Sequence, residues 1–153
     1  MIQGYAEQTN LEVRIAQVKE KFGELRIYQR GGDNTIVLAL DITELVSSCV
    51  CELCGDQGEI TERQGWLRTR CLKHREVVSL DGIEPRCPDE RYIVNYAAAL
   101  SLVLYFFKEN AVRWVQQKST ALGGIRPFEA MASSEGCKSV YTLLKRLDYG
   151  VGV

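Results

Sequence analysis

Between residues 11 and 30 the spacing of apolar positions changes twice. Leu11, Val13 and Ile15 alternate with polar residues, as a half-buried strand does. Ile15, Val18, Phe22 and Leu25 then fall at helical intervals, and Leu25 and Ile27 alternate again before Gly31-Gly32-Asp33. The pattern predicts strand, short helical or turn segment, strand. Over 34–48, Ile36, Val37, Leu40 and Leu45 fit a helix slightly better than a strand, with Asp33 or Asn34 as N-cap, although Ile36 to Leu40 alone also fits a strand. Residues 49–76 read as short strands and turns. Leu67 to Cys71 is the clearest strand there, and Trp66 is expected to cover one side of the segment.

Ser79 to Glu90 holds Gly82, Pro85 and Pro88 and few apolar residues, which marks a linker. Everything beyond it reads as helix. Asp89 can cap a helix to about Phe107, with Ile93, Tyr96, Ala97, Leu100, Leu104 and Phe107 on one stripe; further apolar residues widen the stripe, so burial on most sides is expected. A second helix should run from an Asn110 cap to about Lys118 with Val112 and Val115 inward. A third is led by Pro127 and reaches Ala132. A fourth is capped by Ser133 or Ser134, turns Val140, Leu143, Leu144 and Leu147 inward, and ends at Gly150. The fold class this predicts is α+β: a small zinc-stabilised N-terminal module (1–78), a linker (79–90) and an all-helical C-terminal module (91–153).

The zinc in that description comes from cysteine spacing. Cys51 and Cys54 form a CxxC pair, Cys71 and His74 a CxxH pair, and sixteen residues lie between them. Two tight turns that each present two ligands make the closed tetrahedral Cys3His shell of structural zinc. Gly55 permits the sharp turn after the first pair. The His is the chain's only one, and four protein ligands leave no open position for catalysis. Cys49 and Cys87 are reserve ligands, and Cys137 reads as a small buried hydrophobe.

Composition narrows the class. With 46% hydrophobic and 25% charged residues over 153 positions, a disordered or collagen-like chain is excluded. Nineteen basic and 20 acidic side chains nearly cancel, which argues against a strongly basic nucleic-acid binder. Locally, Arg63, Arg68, Arg70, Lys73 and Arg75 surround the second ligand pair with Trp66 among them. This is a candidate phosphate-binding patch, but Glu59, Glu62 and Glu76 dilute it and a solvated face of mixed charge is favoured. The longest uncharged run, Tyr92 to Phe107, is shorter than the roughly 20 residues that span a bilayer, and the N-terminus does not read as a signal peptide, so a cytoplasmic protein is expected. No nucleophile–base pairing and no phosphate-cradling glycine loop stand out, so an enzyme is not expected.

The last 45 residues or so carry a more specific pattern. Trp114, Leu122-Gly123-Gly124, Pro127-Phe128, Glu135-Gly136, Val140, Leu144, Arg146-Leu147 and Asp148-Tyr149-Gly150 stand in order and spacing. They resemble the toxin-binding domain of Xre/MbcA/ParS-type antitoxins. The resemblance implies an inhibitory binding protein that neutralises a partner toxin, RES-type and NAD-consuming or ADP-ribosylating, by occluding its active site with the C-terminal segment. Carried over, the contact residues are Lys145, Arg146, Asp148, Tyr149, Gly150 and Val151. The resemblance also implies self-association. Antitoxins of this type commonly carry a helix-turn-helix that is not recognised in this sequence. In its place VKEKFGELRIY, CELCG, GWLRTRC and CLKH resemble a small zinc-containing module of uncharacterised bacterial and phage proteins. Two alternatives remain beside the antitoxin reading: a transcriptional regulator that binds nucleic acid through the zinc module, and a phage counter-defence inhibitor on the same fold.

Overall fold

The computed structural model describes residues 2–77 and 89–150. Most of the expected linker, Cys87 and Val151 to Val153 lie outside the described residues. A short helix, α1 (Ile2–Thr9), precedes an antiparallel hairpin of β1 (Val13–Lys21) and β2 (Glu24–Gly31). The two residues between them, Phe22 and Gly23, both take positive φ (58° and 82°), as a type I′ hairpin turn requires. The helical spacing of Val18, Phe22 and Leu25 is therefore a turn crossed by two strands. A bulge between Ile15 and Gln17 breaks the alternation of β1.

Helix α2 (Asn34–Ser47) starts at Asp33, whose side chain accepts from the Ile36 N–H at 3.1 Å. The Tyr5 hydroxyl donates to the same carboxylate at 2.7 Å, which ties α1 to the cap and, with the capping N–H groups, holds Asp33 below its usual pKa. α2 lies along the outer edge of β2. There Glu44 accepts from the Ile27 N–H (2.6 Å) and Ser47 from the Leu25 N–H (2.9 Å), so side chains replace a third strand. A second hairpin, β3 (Glu59–Arg63) and β4 (Trp66–Arg70), follows. Thr69 on β4 donates its hydroxyl to the Gly23 carbonyl at 2.5 Å, so the second hairpin rests on the tip of the first. Trp66 does not cover this segment: it is 68% exposed, because it stands beside the hairpin turn and no described residue packs over it.

From Glu90 on, the described elements are helices and turns. Asp89 caps α3 (Glu90–Phe107) through the Arg91 N–H. α4 (Ala111–Val115) is shorter than its pattern suggests and Asn110 makes no side-chain cap. α5 (Pro127–Ala130) starts at Pro127, and Ser133 caps α6 (Ser134–Asp148) by accepting from the Gly136 N–H at 3.1 Å. The main core joins Ala99, Leu100 and Val103 of α3, Ala111 and Val115 of α4, and Cys137, Val140 and Leu144 of α6 with Ala39, Ile42 and Val46 of α2. Phe107 and Trp114 stack at its edge with ring centroids 4.3 Å apart. α3 is buried along one face only. Ile93, Val94 and Tyr105 are 54%, 67% and 69% exposed, since α6 and α2 occupy one side and no described element covers the other. Leu147 is also exposed, at 43%, in the last turn of α6 where the core has ended.

Candidate functional site

The two ligand pairs converge. Cys51 follows α2 by four residues and is placed by its N–H, which donates to the Asp56 carbonyl (2.8 Å), and by the isolated bridge between Val50 and Gln57. The Gly55 N–H closes the CxxC turn on the Cys51 carbonyl at 2.9 Å, and the His74 N–H closes the CxxH turn on the Cys71 carbonyl at 3.0 Å. β4 delivers Cys71 to the same point. The four ligand atoms all lie within 4.8 Å of one another, so Cys51, Cys54, Cys71 and His74 could hold a metal ion.

The distances test the fit. Cys54 Sγ and Cys71 Sγ are 3.6 Å apart, and the His74 Nδ1 lies 3.5 Å from Cys51 Sγ and 3.3 Å from Cys71 Sγ. Tetrahedral bonds to sulfur and nitrogen of zinc's usual lengths place sulfurs about 3.8 Å apart and sulfur about 3.5 Å from nitrogen. Burial pushes the Cys51 thiol up, but hydrogen bonds from the backbone of Cys71, Leu53 and Cys54, with His74 beside it, outweigh that and bring it down to about 6. Burial and the neighbouring sulfurs of Cys71 and Cys51 push Cys54 up to about 12. One thiolate is favoured by the protein alone, and crowding of sulfurs resists a second. That charge build-up is what a divalent cation relieves. Cys49 turns its thiol to the Ser48 hydroxyl (3.7 Å) and packs against the main core, apart from the cluster. Cys137 is fully buried in that core and donates to the Met131 carbonyl at 3.2 Å.

The basic residues around the second ligand pair are largely neutralised. Arg63 pairs with Glu76, Arg75 with Glu59, and Lys73 with Asp56 at 3.4 Å. Arg70, 1% exposed, lies 2.8 Å from Glu52. Arg68 is half-buried on the same strand, and Trp66 stands out into solvent. Among these residues the face is one of mixed charge.

The last turn of α6 carries Lys145, Arg146 and Asp148, with Lys145 Nζ 3.4 Å from the Asp148 carboxylate. Tyr149 is 78% exposed and Gly150 follows it. Beside them a shallow cavity of about 310 Å³ opens between the turn at Thr120–Leu122 and α6, lined in part by Lys138 and Arg146. Leu147 and Tyr141 add exposed apolar surface, which the sequence pattern assigned to core or left unassigned.

Residues 102–150 match the family model of the antitoxin Xre/MbcA/ParS C-terminal toxin-binding domain. The match begins within α3 and ends at Gly150, so it takes in α4, α5, α6 and the exposed last turn. No curated relative and no solved structure matches the chain. The antitoxin-like character of the C-terminal part, with a protein toxin as the class of partner, rests on this likeness. Among the described residues no helix is long and apolar enough to cross a membrane.

Proposed function

We propose that the protein neutralises a protein toxin by binding it with the last turn of α6 and the residues that follow. The observation that carries this reading is the exposed cluster of Arg146, Leu147 and Tyr149, with half-buried Lys145 beside it, at the end of the segment that matches a toxin-binding domain. Apolar and aromatic side chains gathered on an exposed surface with a polar rim mark protein interaction sites. Tyr149 supplies a rigid aromatic anchor, and Lys145, Arg146 and Asp148 supply a polar rim. Val151, Gly152 and Val153, which follow Gly150, carry no bulky side chain. The toxin is read as RES-type, consuming NAD or transferring ADP-ribose, with the C-terminal segment over its active site. The protein is a binder rather than an enzyme, acts in the cytoplasm, and self-associates. A phage counter-defence protein would use the same surface on another target.

The Cys3His cluster supports zinc in a structural role, since sulfur-rich closed tetrahedral sets select it. It stabilises the N-terminal module, 1–78, with 79–90 as linker and 91–153 as the helical toxin-binding module. The neutralised charges beside Cys71 speak against nucleic-acid binding at that patch.

Truncation after Arg146 tests the reading. Co-expressed with the cognate toxin, the truncated protein should fold, keep its helical dichroism and lose neutralisation, and Tyr149→Ala should weaken it. A truncated, folded protein that still neutralises would remove the last turn from the interface.

A further inference from the structure

The β1–β2 hairpin carries a second basic surface that its partners do not neutralise. Register places Arg14 opposite Arg30, Gln17 opposite Tyr28, Lys19 opposite Arg26, and Lys21 opposite Glu24. Paired residues share a face and alternate residues along a strand share a face. Arg26, Tyr28 and Arg30 therefore stand on one side of the hairpin with Arg14, Gln17, Lys19 and Lys21. Lys19 Nζ sits 4.7 Å over the Tyr28 ring, which fixes that side independently.

This face holds five cations and one carboxylate. The carboxylate, Glu24, is taken by Arg26 at 2.6 Å, and Arg26 also reaches Glu44 at 3.3 Å. Glu20 stands on the opposite face and accepts from the Gly23 N–H. Arg14, Lys19, Lys21 and Arg30 are all exposed, and none of them is in an ion pair among the described residues. Two of the cross-strand pairs, Arg14–Arg30 and Lys19–Arg26, set like charges directly opposite each other, an arrangement that destabilises a hairpin. A chain that is nearly neutral overall thus gathers unpaired cations on one small sheet face against the local rule. The surroundings of the second ligand pair show the contrast, since Arg63 on β3 and Arg75 after the CxxH turn each have a carboxylate.

We propose that this face binds single-stranded nucleic acid. A polyanion removes the like-charge repulsion, and its phosphates match a row of cations on exposed strands. Tyr28, nearly half exposed at the centre of the face, is the stacking platform, and the Lys19 side chain over it is free to swing to a phosphate and release the ring. The aromatic inside the ring of cations favours bases over the headgroups of an acidic membrane. This inference does not rest on the toxin-binding reading.

The test uses the full chain and a fluorescein-labelled oligothymidylate of about 20 nucleotides, longer than the roughly 4–16 nucleotides that a single-strand binding fold covers. Anisotropy should show binding at about 50 mM salt that weakens steeply toward about 200 mM. Arg14→Gln/Arg30→Gln should weaken it about tenfold or more and flatten the log–log salt slope by about 1.4, the loss of two single-strand phosphate contacts. The same variant should melt at a higher temperature than the parent, because the repulsion is gone. Tyr28→Leu should cost about tenfold, and Arg63→Gln/Arg75→Gln should change nothing. The inference is overturned by absence of binding at the lower salt, by an Arg14→Gln/Arg30→Gln protein that binds as tightly as the parent, or by tighter binding to duplex that ignores Tyr28→Leu. Capture on phosphatidylserine vesicles without oligonucleotide binding would likewise overturn it, in favour of a membrane.

Discussion

The hydroxyls of Thr43 on α2 and Tyr96 on α3 lie 2.9 Å apart, across 53 residues of sequence. Thr43 already donates its single O–H to the Ala39 carbonyl at 2.8 Å, so Tyr96 is the donor between them. This bond satisfies the polar end of a Tyr that burial would otherwise leave stranded, and burial raises its pKa. It also joins a helix before the expected linker to one that the toxin-binding likeness enters.

Ile42, fully buried one residue away, makes that joint testable. Ile42→Ala removes buried methyl and methylene groups from the core shared with α3, α4 and α6 and should cost about 2–5 kcal/mol. Trp114 fluorescence, read in a Trp66→Phe background, should report the loss as an earlier denaturant midpoint. An unchanged Trp114 transition would mean that α2 is not part of the helical core's cooperative unit.

Gly136 sits where α5 turns into α6. A Cβ there would lie 1.8 Å from the Ala130 carbonyl oxygen, a backbone atom that cannot move without opening the corner. Gly136→Ala should therefore destabilise by about 3 kcal/mol, at the upper end of overpacking costs, although alanine favours helix. Gly4 in α1 is the control, since a Cβ there meets nothing within 4 Å. Gly4→Ala should be neutral or gain up to about 1 kcal/mol from helix propensity. Thermal melts of the two variants should shift in opposite directions or differ sharply; equal shifts would refute the close approach.

Metal removal should act locally. The apolar cluster at the ligand site consists of little more than Cys51, Leu53 and Cys71, with Cys54 and Val77 beside them. Chelation should thus loosen the β3–β4 hairpin and change Trp66 emission while the helical dichroism of α3 and α6 persists. Native mass spectrometry should find one ion in the parent, none in Cys54→Ser or Cys71→Ser, and one in Cys49→Ser. Retention of the ion by Cys71→Ser would break the ligand assignment.

Some of this architecture is plain in the sequence and some is hidden for physical reasons. The caps Asp33, Asp89 and Ser133 precede helices as their side-chain chemistry demands, and the CxxC and CxxH turns announce the Cys3His cluster through spacing alone. α1 is hidden because its anchor is tertiary: Tyr5 reaches Asp33, 28 residues on. The free side of α3 is hidden because an apolar pattern records what a helix offers and not which neighbours are present. The basic face of the first hairpin is hidden by the bulge. Arg14 and Lys19 are an odd number of residues apart, so regular alternation puts them on opposite faces, and only the extra residue between Ile15 and Gln17 brings them together.

Alkaline pH offers a last test of the core. Burial pushes the Cys137 thiol up to about 12 and raises the Tyr92 and Tyr96 hydroxyls as well. In the unfolded chain the thiol releases its proton near 9.0 and the phenols near 10.0. Between those values and the folded ones the native state holds more protons, so stability falls as pH rises. Each group contributes a slope of about 1.4 kcal/mol per pH unit once its unfolded form ionises. Stability from these groups should therefore be constant from neutral pH to about 8, decline at its full slope above 9.0, and decline more steeply above 10.0 when the phenols join. Cys137→Ala starts from a lower stability because it leaves a small void, but it should lose the first part of that decline. Chemical denaturation at a series of pH values, on both proteins loaded with metal, reads the difference. Parallel curves for parent and variant between pH 9.0 and about 11 would show that Cys137 does not hold its proton in the folded state.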